Sequence, residues 1–246
     1  MYTKTAKIAI VLSSAAALVL LAAAPSGAMH IMEGFLPPLW ALGWGLISLP
    51  FLVAGYFSIK RQVEVSHKYL VLIAMCGAFA FVMSSLKIPS LTGSSSHPTG
   101  VGLGAILFGP SAMAIIGIIV LLFQAFFLAH GGLTTLGANV FSMGIAGPMV
   151  SFLVYQLMKQ LKVKSSTAVF LSVFSGNMMT YIVTATQLAL AHPTNGDVMT
   201  SLIKFLGIFA LTQIPLAISE GLVSVVVFSV LEKYNSEALK ALKVIA

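Results

Sequence analysis

Apolar residues run in long blocks along this chain, and polar residues collect in the short breaks between them. Past residue 36 the blocks fall at 37–59, 69–86, 101–129, 133–158, 166–191 and 201–231. A helix rises 1.5 Å per residue, so about 20 apolar residues cross the ~30 Å hydrocarbon layer of a bilayer. The 101–129 block is broken at Gly109-Pro110, which predicts two helices, 101–108 and 111–129. The first is too short to cross unless it extends into its flanks or is partly re-entrant. The 133–158 block contains Gly144, Gly147 and Pro148, and the last block is over-long, with Pro215 expected to kink it. The pattern predicts an all-α integral membrane protein with about seven transmembrane helices.

A further apolar stretch, Ile8 to Ala24, is interrupted only by Ser13 and Ser14 and is preceded by Lys4 and Lys7. Pro25-Ser26-Gly27-Ala28 follows, with small residues at −3 (Ser26) and −1 (Ala28) of a cut before Met29. Residues 1–28 therefore read as a cleaved signal peptide, and residues 29–246 as one transmembrane domain.

Composition supports the membrane reading: 59% of residues are hydrophobic and 8% charged, against about 25% charged in a soluble domain. The net charge of +7 does not point to nucleic acid, because the basic residues sit at loop ends. They also orient the chain, since Lys and Arg concentrate in cytoplasmic loops. With the cut end delivered outside, seven crossings place Lys60, Arg61, Lys68, Lys159, Lys162, Lys164, Lys233, Lys240 and Lys243 inside. Only Lys87 and Lys204 are left at the outer side, and six crossings would put the basic tail outside. This orientation collects His30, His97, His130 and His192 at the outer face, with His67 inside. The single Cys76 lies in an apolar span, so no disulfide framework or cysteine metal cluster is expected. There is no Gly-x4-Gly-Lys-Ser/Thr phosphate loop, so this chain is not expected to hydrolyse ATP.

The predicted cut creates a chelating end. A chain beginning Met29-His30 offers its free α-amine, the His30 backbone nitrogen and the His30 ring Nδ1, which close a five- and a six-membered ring around one metal. His97 lies in the loop Gly93-Ser94-Ser95-Ser96-His97-Pro98-Thr99-Gly100. Folded back, its imidazole completes a four-nitrogen plane; the alternative is an interfacial loop histidine with no ligand. Such a set suits Ni(II) or Cu(II), is accepted by low-spin Co(II), and suits Mg(II) poorly. His130, before Gly131-Gly132, reads either as a donor that orients a ligand or as the cap of a helix end. Glu33 reads either as an outer-sphere acid or as a solvent-facing acid at the membrane edge. Glu220 falls within the last span, where an ionisable residue is a functional candidate: a proton relay, a polar anchor to a partner subunit, or a residue nearer the inner interface. Gln124, Asn139, Asn177, Gln187 and Gln213 are expected to hydrogen-bond between helices. The small residues Ala74, Ala78, Gly100, Gly102 and Gly104 permit close helix approach.

Three motifs together, Met29-His30-Ile31-Met32-Glu33-Gly34-Phe35-Leu36-Pro37, Ser96-His97-Pro98-Thr99-Gly100 and His130-Gly131-Gly132-Leu133-Thr134-Thr135-Leu136-Gly137-Ala138-Asn139, resemble the CbiM/NikM family. These are substrate-capture (S) components of energy-coupling factor (ECF) transporters for cobalt and nickel, and the opening is closest to the cobalt branch. The resemblance covers essentially all of 29–246. It implies a seven-helix S component whose N-terminus tucks into the bundle, with Co(II) or Ni(II) as transported substrate held by Met29, His30 and His97. It implies as partners a transmembrane coupling (T) protein, a pair of ATPase subunits and a small auxiliary membrane protein. Cobalt import of this kind commonly supplies cobalamin synthesis. Family members can begin directly at Met-His, so the carried-over site depends on cleavage after Ala28.

Two other readings follow from the residues. One is a stand-alone permease with Glu220 as proton carrier, which predicts uptake without ATPase subunits. The other is an intramembrane metalloenzyme, disfavoured because no His-Glu-x-x-His pair occurs.

Overall fold

The computed structural model describes residues 30–86, 88–89 and 95–245, so the signal peptide, Met29 and Lys87 lie outside the described residues. Helix α1 (Pro38–Val65) is followed by α2 (Lys68–Ser85). A two-residue antiparallel pairing of β1 (Ile88–Pro89) with β2 (Ser95–Ser96) leads into α3 (Val101–Phe108). Next come α4 (Pro110–Leu128), α5 (Leu136–Asn139), a π-helical segment (Val140–Ala146) and α6 (Gly147–Gln160). The chain ends with α7 (Ser165–Ala191), α8 (Val198–Tyr234) and the short α9 (Ser236–Ala241). Prolines sit in the first turns of α1, α4 and α6, where a missing N–H costs nothing. Asp197 caps α8 by accepting the Met199 N–H. Hydrogen bonding, chiefly from the Thr200 side chain, holds its carboxyl below the usual range.

Six of these elements, counting Leu136–Gln160 as one, are long and apolar enough to cross a membrane. The seventh predicted crossing is different in kind. All eight residues of α3 are buried, and they rise only ~12 Å. The non-helical chain before it lies in the same buried interior. Gly100 lies against Ala80 of α2, and Phe108 at the far end accepts a hydrogen bond from Gln62 near the end of α1. Irregular backbone at membrane depth is tolerated only where protein surrounds it, and here residues 96–100 are all buried. Gly100 takes φ +69°, and a side chain there would meet the Ala80 backbone.

The main apolar core surrounds α3, with contributions from α2, α4, the π-helical segment, α6 and α7. Gly102 packs against Val173 and Gly104 against Met113, so these small residues serve contacts within the chain. A second, smaller core of Ile31, Leu36, Ala138, Tyr181, Leu188 and Phe209 lies at the histidine-bearing end. The outward side of α1 exposes Leu39, Leu42, Leu46, Val53 and Tyr56, as a lipid-facing surface does. Helix α8 continues unbroken through Pro215. At the end rich in basic residues the tail after α9 is tied down: Lys159 donates to the carbonyls of Lys243 and Val244, each at 2.9 Å.

Candidate metal centre

Residues 30–37 run into the bundle without helix or strand and fold through one turn, closed by the Phe35 N–H on the Met32 carbonyl at 3.1 Å with Gly34 at φ +72°. Ile31 and Leu36 fill the smaller core, each removing apolar surface worth about 1.5–3 kcal/mol when fully buried. The backbone between them is held by side chains. Asn139 accepts the Ile31 N–H at 2.8 Å and donates to the Ile31 carbonyl at 3.0 Å. The Thr135 hydroxyl donates to the same carbonyl at 2.6 Å. Gly132 makes room for this passage: a methyl group there would lie 2.5 Å from the Glu33 Cα.

The result is a cluster of three buried imidazoles. His30, His97 and His130 are 1%, 0% and 3% exposed. The His30 ring centroid lies 4.6 Å from that of His97 and 4.8 Å from that of His130, and His97 and His130 are 4.8 Å apart. One nitrogen from each ring lies within 4.8 Å of the other two, a spacing that can hold a metal ion.

Neighbours that can only accept favour one tautomer in two of the rings. The His30 Nε2 lies 3.1 Å from the Met143 thioether sulfur. A thioether has no proton to give, which favours the tautomer with the hydrogen on Nε2 and the lone pair on Nδ1. That is the nitrogen the N-terminal chelate needs. The His97 Nδ1 lies 2.8 Å from the Pro98 carbonyl, which also only accepts, so the lone pair of a neutral His97 is on Nε2. Such outer partners fix the orientation and basicity of ligating histidines. Met143 reaches His30 from the π-helical segment, a type of irregularity frequent at functional sites.

His130 ends a helix through its backbone and brings its ring to the cluster. Its backbone N–H bonds to the Gln124 carbonyl at 3.2 Å and closes α4. Glu33 is exposed and its carboxylate accepts the Thr134 N–H at 3.2 Å. Hydrogen bonding, chiefly from the Thr134 side chain, holds its carboxyl below the usual range. His192 contacts the Phe35 carbonyl at 2.8 Å, and His67 is exposed at the start of α2. Met29 lies outside the described residues.

Glu220 is turned into the bundle, away from the protein surface. It is 0% exposed and reaches the loop that carries His97. One carboxylate oxygen accepts the Gly100 N–H at 2.8 Å and the Thr99 hydroxyl at 2.9 Å. The other accepts the Thr99 N–H at 2.6 Å and the Asn177 amide at 2.5 Å. Asn177 in turn accepts from Gln213 at 2.5 Å. Four of the five polar residues expected to bridge helices do so, with Gln124 donating to Ser84, Gln187 to the Ala138 carbonyl and Gln213 to Asn177, which donates to Glu220; Asn139 instead holds the non-helical Ile31 backbone. Sequence reasoning missed Met143, Thr135 and Thr99. Met143 sits in an apolar run with nothing to mark it, and Thr99 and Thr135 lie inside the quoted motifs without a role of their own.

Residues 30–238 match the family model described as cobalt uptake substrate-specific transmembrane region, CbiM. The chain is 61% identical over 223 residues to the cobalt transport protein CbiM of Ruminiclostridium cellulolyticum, covering 90% of each. It is 54% identical over 225 residues to that of Nostoc sp., covering 91% of this chain and 86% of the relative. Among solved structures it resembles a truncated transition metal transporter, with a TM-score of 0.73 and 26% identity over 83% of this chain and 99% of the other.

Proposed function

The chain belongs to the CbiM family of cobalt-uptake transmembrane proteins, and we propose that it is the substrate-capture subunit of an ECF importer for Co(II), with Ni(II) as a second acceptable ion. In this reading cleavage after Ala28 frees the Met29 amine. The ion is held by that amine, the His30 backbone nitrogen and Nδ1, and His97 Nε2, with His130 beside it. The observation that carries the proposal is the buried cluster of His30, His97 and His130, formed where residues 30–37 enter the bundle. The tautomers favoured by Met143 and the Pro98 carbonyl offer the same nitrogens.

The site opens outward and the basic end faces the cytoplasm, by the distribution of Lys and Arg. Energy comes from ATPase subunits through a transmembrane coupling protein, with a small auxiliary membrane protein assisting, since this chain has no phosphate loop. Glu220 is engaged with the His97 loop, which favours capture over a permease that uses it as proton carrier.

Native mass spectrometry of protein purified from membranes tests the proposal. The expected species begins at Met29 and carries one Co or Ni. An uncut chain, or a Met29-started chain that stays empty with both ions supplied, would overturn it.

A further inference from the structure

The loop bearing His97 is pinned to one helix at two depths. Near its start the Ser96 and Thr212 hydroxyls lie 2.8 Å apart. Near its end Glu220 grips Thr99 and Gly100 through three hydrogen bonds. Thr212 and Glu220 are both on α8, eight residues or ~12 Å apart, which matches the length of an extended 96–100 segment at ~3.3 Å per residue. His97 lies between the two pins. Its place opposite His30 is therefore held from α8 on both sides.

Glu220 is the stronger pin. Its carboxylate meets the N-terminus of α3, where backbone N–H groups lack helical partners and negative charge is favoured. A buried charge persists only when hydrogen bonds surround it, and four donors do so here. Asn177 ties the same carboxylate to α7 and Gln213 ties Asn177 back to α8.

We propose that Glu220 is the positioning residue of the metal centre: it holds the Thr99–Gly100 backbone so that His97 can ligate, and it makes ion retention depend on the position of α8. The proposal rests on the reading of His97 as a ligand. A displacement of α8 withdraws the His97 ligand, which provides a release step.

The test is the visible spectrum and affinity of Co(II) bound to the purified Met29-started protein, comparing wild type, E220A, E220Q and H97A. Outer partners of metal ligands typically change affinity by about 10- to 100-fold, and E220A is expected to weaken binding within that range. At saturating Co(II), E220A should show the altered spectrum of H97A, because both leave the ion without the His97 nitrogen. A merely destabilised protein would keep the wild-type spectrum in its loaded fraction. E220Q can keep three of the four contacts and leaves the Gly100 N–H without an acceptor, so it should fall between. If E220A does not fold, T99V and E220Q carry the test, each expected to give a mixture of the two spectra. Wild-type spectrum and affinity in E220A, or in both milder variants, would overturn the proposal. An H97A spectrum identical to wild type would instead overturn the ligand reading beneath it.

Discussion

Replacing Asn139 with Ala isolates the contribution of the docked N-terminal segment. Asn139 is buried and makes two hydrogen bonds to Ile31, at 2.8 and 3.0 Å. In N139A the Ile31 carbonyl keeps the Thr135 hydroxyl at 2.6 Å, but its buried N–H loses the Asn139 acceptor. Leaving a buried donor without a partner costs about 1–3 kcal/mol, and the lost second bond adds about 0.5–1.5 kcal/mol. Relaxation and water entry offset part of this, so a net effect of about 2–3 kcal/mol is expected. The cost falls on the docked state, and in the proposed site only that state presents His30 to the ion. Apparent affinity falls with the docked fraction. At 1.4 kcal/mol per tenfold, N139A should bind Co(II) up to about 30- to 150-fold more weakly, the full factor applying where the docked state is marginal without the ion. Competition against a chromophoric chelator measures this, with thermal unfolding to verify that the bundle persists. N139D keeps an acceptor for the Ile31 N–H and should recover part of the loss. Affinity within twofold of wild type in N139A, alongside lost binding in H97A, would refute the reasoning.

Three other outcomes are expected. Met143→Leu preserves volume but removes the acceptor facing His30 Nε2, so Co(II) affinity should drop about tenfold with little change in melting temperature, both readable on one sample. Gly132→Ala brings a methyl group against the Glu33 backbone at 2.5–2.6 Å; because backbone cannot rotate away, metal binding should fall sharply while helix content by circular dichroism is retained. Glu33→Gln should leave Co(II) affinity at pH 7 within about fivefold, as for an exposed charge. The carboxyl's lowered pKa means its small stabilising effect is present above the ordinary carboxylate range and lost as pH falls through the lowered value, so wild type and E33Q should converge in acid melting curves.

The spans were legible because lipid imposes one rule on every block: enough apolar length to cross. Block boundaries lie within a few residues of the helices, as with 166–191 against Ser165–Ala191. The shortness of 101–108 was legible too, but the buried non-helical chain before it, held by α8, was not. His30 and His97 stood out because imidazoles with a free amine have a recognisable ligand chemistry. Glu220 stood out only as an anomaly, since its partners at Thr99 and Gly100 are about 120 residues away in sequence. Met143 is 113 residues from His30, and nothing local separates it from methionines that fill space. The π-helical segment was illegible because one extra residue in a turn leaves hydropathy unchanged. The C-terminal α9 escaped notice because six residues carry too little pattern.

The short, buried α3 also bears on how the protein is made. An eight-residue helix such as α3 is too short to be recognised as a membrane segment by its own hydrophobicity. It must enter together with α4, and its polar approach, residues 96–100, has to wait for shelter. That shelter comes from α8, the last long helix to be synthesised, which brings Thr212 and Glu220. In the proposed reading, ion capture is thereby reserved for the finished chain: a nascent chain that had already presented the proposed Met29-His30 chelate would have no closed site with which to sequester a scarce metal.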